Sequence, residues 1–195
     1  MPAHLRRAAQ RVAKHEAGHF IVSRVHGFPT GAVFATVLDS SGAFMGGSEI
    51  TLARPLASLE DVSLYLTRRI QVLYAGALAE SLTANGKVVN GDALSVRSTA
   101  AKDDFSRATE LIQLARNLKH PEPATHEEFQ VQLNAIDGEA WNAAAACVEK
   151  EHLLILGLAG RMEEALMAAG LGVEARMAAA TIDALPAMIA RFAAN

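Results

Sequence analysis

Arg11-Val12-Ala13-Lys14-His15-Glu16-Ala17-Gly18-His19-Phe20-Ile21-Val22-Ser23-Arg24-Val25 is the stretch from which the rest of this chain is read. It belongs to a helix expected from about Leu5 to Val25, closed at Gly27-Phe28-Pro29 because proline cannot continue a helix and biases its predecessor away from one. The segment contains H-E-x-x-H. Residues four apart share a helix face, so the imidazoles of His15 and His19 can converge on one metal ion at about 2.0–2.1 Å. Glu16 projects about 100° further round the axis, outside the ligand pair but near enough to take a proton from a metal-bound water.

Working outward, most of the chain reads as helix. Alanine, the best intrinsic helix former, is roughly a fifth of the residues and densest after Ala140. One window reads as strand: Ala32–Leu38 is rich in β-formers, and Ser48–Leu52 alternates, with Ile50 and Leu52 on one face. Asp39-Ser40-Ser41-Gly42 and Gly46-Gly47 between them are turn chemistry, which predicts a small hairpin or sheet. Ser58 and Asp61 open a second helix whose apolar stripe runs through Leu59, Val62, Leu66, Ile70, Leu73 and Ala77. Thr83 to Arg97 reads as a long loop. A third helix is expected from about Thr99 to Leu118. Thr125 and Glu128 form a capping box for a fourth, and helical segments fill Glu139 to Ala169 before Gly170-Leu171-Gly172. The expected fold is mostly α, a zincin-like helix with a small β-hairpin and a C-terminal helical bundle. A single domain over 1–195 is expected, with the metal-site portion in 1–120 and the C-terminal helices in 121–195.

Composition narrows the functional classes. The chain has 195 residues, 51% of them hydrophobic and 20% charged, which are the proportions of a folded globular protein rather than a disordered one. A net charge of −3 and 5% aromatic residues give no electrostatic or stacking reason to expect nucleic acid. The single cysteine, Cys147, makes a reducing compartment and hence a cytoplasmic location the default expectation. The first residues lack the apolar run of a secretory signal, and Leu153–Ala159 is far short of the ~20 apolar residues a membrane span needs, so no membrane anchor is expected. Small residues in the C-terminal helices would permit close approach of a second copy.

A catalytic zinc site usually takes three protein ligands. The metzincin spacing fails, because its glycine and third histidine would fall on Val22 and Val25. Glu80, in Ala75-Gly76-Ala77-Leu78-Ala79-Glu80-Ser81, is one candidate, although a polar residue near a helix end explains it more simply. Asp104 is another. On a helix it falls in line with Ala108, Leu111 and Ala115, the presumed core stripe, while Asp103 is rotated away. A carboxylate turned inward needs a partner, and a cation suits it better than a simple cap.

His15-Glu16-Ala17-Gly18-His19, the β window, the helix ending at Ser81 and then Ser98-Thr99-Ala100-Ala101-Lys102-Asp103-Asp104-Phe105-Ser106-Arg107-Ala108-Thr109 together resemble the peptidase domain of FtsH-type ATP-dependent zinc metalloproteases. The resemblance implies Zn2+ held by His15, His19 and Asp104, with Glu16 as general base. It also implies an extended peptide or unfolded protein substrate paired with the sheet edge at Ser48, Glu49, Ile50 and Thr51. The chain departs from the family's pattern in having one glutamate at the end of the second helix, a longer loop over Thr83–Arg97, and neither the ATPase module nor the transmembrane helices. The expected function is therefore ATP-independent zinc endopeptidase action on accessible polypeptide, with a separate ATPase or adaptor as a conceivable partner. The alternative is a zinc-bound, non-proteolytic module that binds a peptide or partner protein.

Overall fold

A computed structural model describes residues 2–122 and 124–192. The described residues are mostly helical, with one three-stranded antiparallel sheet. The first helix, α1, spans Ala3–Val25. It ends because Gly27 takes φ +76°, so that Gly27 N–H donates to Arg24 O and Phe28 N–H to Ser23 O, satisfying carbonyls that have no partner within the helix.

Strand β1 (Thr30–Val37) follows and pairs with β2 (Phe44–Ile50), Val33 opposite Ser48 and Val37 opposite Phe44. The turn lies at Asp39–Gly42, where Asp39 accepts from the Ser41 backbone. Gly46 and Gly47, expected as turn residues, are instead inside β2, and close approach explains them. A Cβ on Gly47 would lie 2.5 Å from the Phe34 ring, and one on Gly46 would lie 2.9 Å from Val12 and from Glu16 Oε1. Thr51 and Leu52 fall beyond the strand.

Helix α2 (Leu59–Glu80) begins as expected, with the Ser58 hydroxyl accepting from Asp61 N–H. The segment expected as one long loop is more ordered. Leu82 bridges to Val88, and Asn90–Ser95 forms a short helix, α3. Glu149 accepts from Val88 N–H and pairs with Lys87, while Asn90 accepts from the Trp141 indole, so this segment is fastened to the C-terminal helices. Helix α4 (Lys102–Lys119) starts three residues later than expected. Helix α5 runs unbroken over His126–Lys150 behind the Thr125/Glu128 capping box, and α6 spans His152–Ala169. Chain reversal beyond Gly170 then brings β3 (Ala175–Met177) to the other side of β1, giving the order β2-β1-β3. Two short helices follow, α7 (Ala179–Asp183) and α8 (Pro186–Phe192), and Arg191 closes on the buried Glu151 carboxylate at 2.8 Å. The sequence reading did not foresee β3, whose three residues are too few to show a period.

The core is built on α1. Its buried residues Val12, Phe20, Ile21 and Val22 join Ile70, Leu73 and Leu78 of α2 and Ile155, Leu158 and Met162 of α6. The α1–α2 crossing is close because Gly18 sits in it: a Cβ there would lie 2.5 Å from Ala75 O and 2.6 Å from Ala79 Cβ. Gly138, exposed within α5, has nothing near its missing side chain. Gly18→Ala should therefore lower the unfolding free energy by about 1–3 kcal/mol despite the helix propensity gained. Gly138→Ala should raise it by up to ~1 kcal/mol. Urea unfolding of the two variants checks both signs.

Candidate metal centre

Because α1 is regular from Ala3 to Val25, His15 and His19 stand one turn apart on the face turned toward α2 and α4. Both are buried, at 6% and 8% exposure, as is Glu16 at 6%. The Nε2 atoms of the two histidines are 3.0 Å apart, and Asp104 Oδ2, from the first turn of α4, lies 3.1 Å from each. Four donors spaced tetrahedrally at zinc-bond lengths would be roughly 3.3 Å apart, so this triangle has the dimensions of one face of such a site. These three residues form a buried cluster that could hold a metal ion.

The other ring nitrogens say what charge the centre holds. His19 Nδ1 is 2.7 Å from Val72 O, a carbonyl that can only accept, so Nδ1 carries the proton and Nε2 presents a lone pair. His15 Nδ1 is 2.8 Å from Glu80 Oε1, and the same reasoning applies while that carboxylate is ionised. Two lone pairs and a carboxylate oxygen thus meet within hydrogen-bond distance, and a cation or a proton must sit among them. Burial works against charge on His15, yet the hydrogen bonds to Asp104 and Glu80 outweigh it and raise its pKa to about 10. Asp104 is also pushed up by burial, but the adjoining His19 and His15 hold its carboxyl well below the usual carboxylate range. The field that retains a proton here also favours a divalent cation.

Outside the triangle, Glu80 and Gly76 complete the arrangement. Glu80 binds Arg11 at 3.0 Å with its second oxygen, so it orients His15 rather than entering the triangle. Gly76 faces the rings directly, since a Cβ on it would lie 2.5 Å from His19 Nε2 and 2.6 Å from His15 Nε2. From the sequence Glu80 was weighed as a ligand or a helix-end polar residue, not as support for His15, and Gly76 was assigned nothing, although a glycine among alanines is the usual mark of close approach. Asp104 itself lies at the border of the buried face of α4, which runs through Phe105, Ala108, Ile112 and Arg116, with the expected Leu111 and Ala115 partly buried and packed against the core beside it. Its side chain is 19% exposed, which leaves the centre open on one side.

That side is a cleft of about 400 Å³ walled by α1, β2, α2 and the start of α4. Glu16 lines it, with Ser48 Oγ donating to Glu16 O at 2.7 Å and lying 3.2 Å from Glu16 Oε2. Of the four residues expected along the sheet edge, Ser48 and Ile50 line the cleft. Glu49 instead accepts from Ala32 N–H at 2.9 Å and pairs with Arg176. Thr51 N–H donates to Pro29 O. Phe44, Met45, Gly46 and Gly47, further up β2, also line the cleft and were not read as site residues. Among the described residues no strand pairs with the outer edge of β2.

The chain matches no family model and no curated protein. The fold and the triangle therefore carry the functional reading unaided.

If the cluster holds a divalent metal ion, Glu80→Gln should weaken its binding by about 10–100-fold, as loss of a carboxylate behind a ligating histidine does. Gly76→Ala should abolish it while far-UV circular dichroism stays helical. Competition with a chromophoric chelator measures both.

Proposed function

We propose that this chain is a zinc-dependent endopeptidase of the kind found in FtsH-type proteases. The observation that carries the reading is the meeting of His15 Nε2, His19 Nε2 and Asp104 Oδ2 beside Glu16 in one open cleft. The fit to zinc rests on the donor set, two neutral imidazoles and one carboxylate with an open side, which matches the three-ligand pattern of catalytic zinc. Zinc held there would supply Lewis acidity toward a carbonyl and a water acidified toward pH ~7.

The chain's own residues would do the remaining work. Glu16, steadied by the Ser48 hydroxyl, accepts the proton lost by the attacking water as the new C–O bond forms. It then returns that proton to the amide nitrogen as the C–N bond breaks. The open edge of β2 offers N–H and C=O groups to an extended backbone, which would hold the scissile peptide across the cleft. A strand edge accepts only extended chain, so the substrates would be unfolded or flexible polypeptides, and cutting them requires no nucleotide. A separate ATPase or adaptor would matter only for delivering folded proteins. With no helix among the described residues long and apolar enough to cross a membrane, nothing in them ties the site to a bilayer.

Protein purified without added metal should carry about one zinc per chain by elemental analysis and cleave labelled, unstructured casein. Chelation should abolish the cleavage and zinc restore it. Glu16→Gln should keep the zinc and cleave at least ~10²-fold more slowly, the usual contribution of a positioned general base. Undiminished cleavage by that variant overturns the mechanism. A zinc-loaded wild type that binds casein without cutting it supports the non-proteolytic, peptide-binding alternative instead.

A further inference from the structure

The cleft has a second chemical feature besides the metal triangle. Arg69 of α2 and Arg107 of α4 both line it. Among the described residues, neither guanidinium has a hydrogen-bond or ion-pair partner; Arg7, Arg54 and Arg97 also have none, but only Arg69 and Arg107 face this cleft. Arg69 is also half-buried. Burial lowers its pKa, the nearby Asp104 opposes this and Arg107 adds to it. Arginine stays charged under such pressure, so a partly desolvated cation is held without a fixed counterion.

The cleft's own carboxylates do not fill that role. Asp104 is committed to the two imidazoles, Glu16 is held by Ser48, and Asp103 stands exposed at the rim. A half-buried guanidinium facing a binding cleft suits a planar two-oxygen anion, because its fork of donors matches a carboxylate with two parallel hydrogen bonds.

Position decides which part of a ligand this would be. Arg69, Leu73 and Gly76 follow one another at helical spacing on the face of α2 that fronts the site, and Gly76 abuts the imidazoles. Seven residues of helix rise about 10 Å, so the Arg69 backbone sits further along the cleft than Gly76, while its guanidinium stays near enough to Asp104 to feel that charge. A carboxylate held there would belong to a residue flanking the scissile bond, at about 3.3 Å per extended residue.

We propose that Arg69, assisted by Arg107, forms a subsite for a carboxylate on the bound polypeptide, and so selects acidic segments for this cleft. The proposal rests on the peptide-binding reading of the site. The carboxylate has two sources, an Asp or Glu side chain or the substrate's own C-terminus.

The test is equilibrium binding to the full chain, zinc-loaded and carrying Glu16→Gln so that peptides survive. Fluorescence anisotropy would compare three flexible decapeptides of otherwise identical neutral sequence: one amidated, one amidated with a single Glu at each position in turn, and one with a free C-terminus. The best Glu peptide, the free-carboxylate peptide, or both should bind about 10-fold more tightly than the neutral one, the usual worth of a charged hydrogen bond. Which of them does so identifies the source. In Arg69→Gln that ratio should fall to within about twofold of one, Arg69→Lys should restore part of it, and Arg69→Glu should invert it. Equal affinities for all three peptides, or a ratio that survives in Arg69→Gln with Arg107→Gln, overturn the subsite. If no peptide binds, the neutral one included, the peptide-binding reading itself fails and the subsite falls with it.

Discussion

Three hydrogen-bond acceptors are forced together at the centre of this protein. Val72 O fixes the proton of His19 on Nδ1, Glu80 draws that of His15 the same way, and Asp104 closes the triangle from 85 residues further along the chain. Within 3.0–3.1 Å these atoms repel one another unless positive charge lies among them. Leaving a buried charge unpaired costs about 3–5 kcal/mol. A helix start that only needed capping would not carry its aspartate to two buried imidazoles. A proton or a metal cation is therefore part of what makes the arrangement of α1, α2 and α4 tolerable.

The triangle depends in turn on how closely α1 and α2 approach. Gly18 lets α1 meet Ala75 O and the Ala79 methyl of α2, and Gly76 leaves on α2 the space that the imidazoles occupy. Each helix thus gives up a side chain at the point where the other needs room. Close approach also brings Val72 O and Glu80 onto the outer ring nitrogens, so the spacing that admits the rings fixes their tautomers. The alanines of this region are less a sign of helix propensity than of a narrow interface.

Much of this was legible in the sequence. H-E-x-x-H placed His15, Glu16 and His19 on one helix, and the Ser58 and Thr125 caps located α2 and α5, because capping chemistry is local. Asp104 was reachable from helical projection, because Ala108, Leu111 and Ala115 in line with it do pack on the core, although the most buried positions of α4 are rotated toward Phe105, Ile112 and Arg116. What escaped was non-local. Gly46 and Gly47 look like a turn until Val12 and Phe34 are seen against them. Glu80 looks like a helix-end glutamate until His15 arrives from 65 residues away. β3 has too few residues to show a period, and its place beside β1 depends on how α6 returns the chain.

One face of α2 orders the whole site. Glu80, Gly76, Leu73 and Arg69 follow at steps of four, three and four, the spacing of a single helical stripe. In that order they support a histidine, make room for both rings, wall the cleft and present a cation to it. A rotation of α2 that moved Gly76 off the imidazoles would carry Glu80 from His15 and Arg69 from the cleft at the same time. The proposed metal site and the proposed carboxylate subsite would therefore be mechanically one property of this helix. The face is anionic at the end that backs His15 and cationic at the end that lines the cleft, so the spacing of the two is fixed by helix pitch and not by a flexible loop.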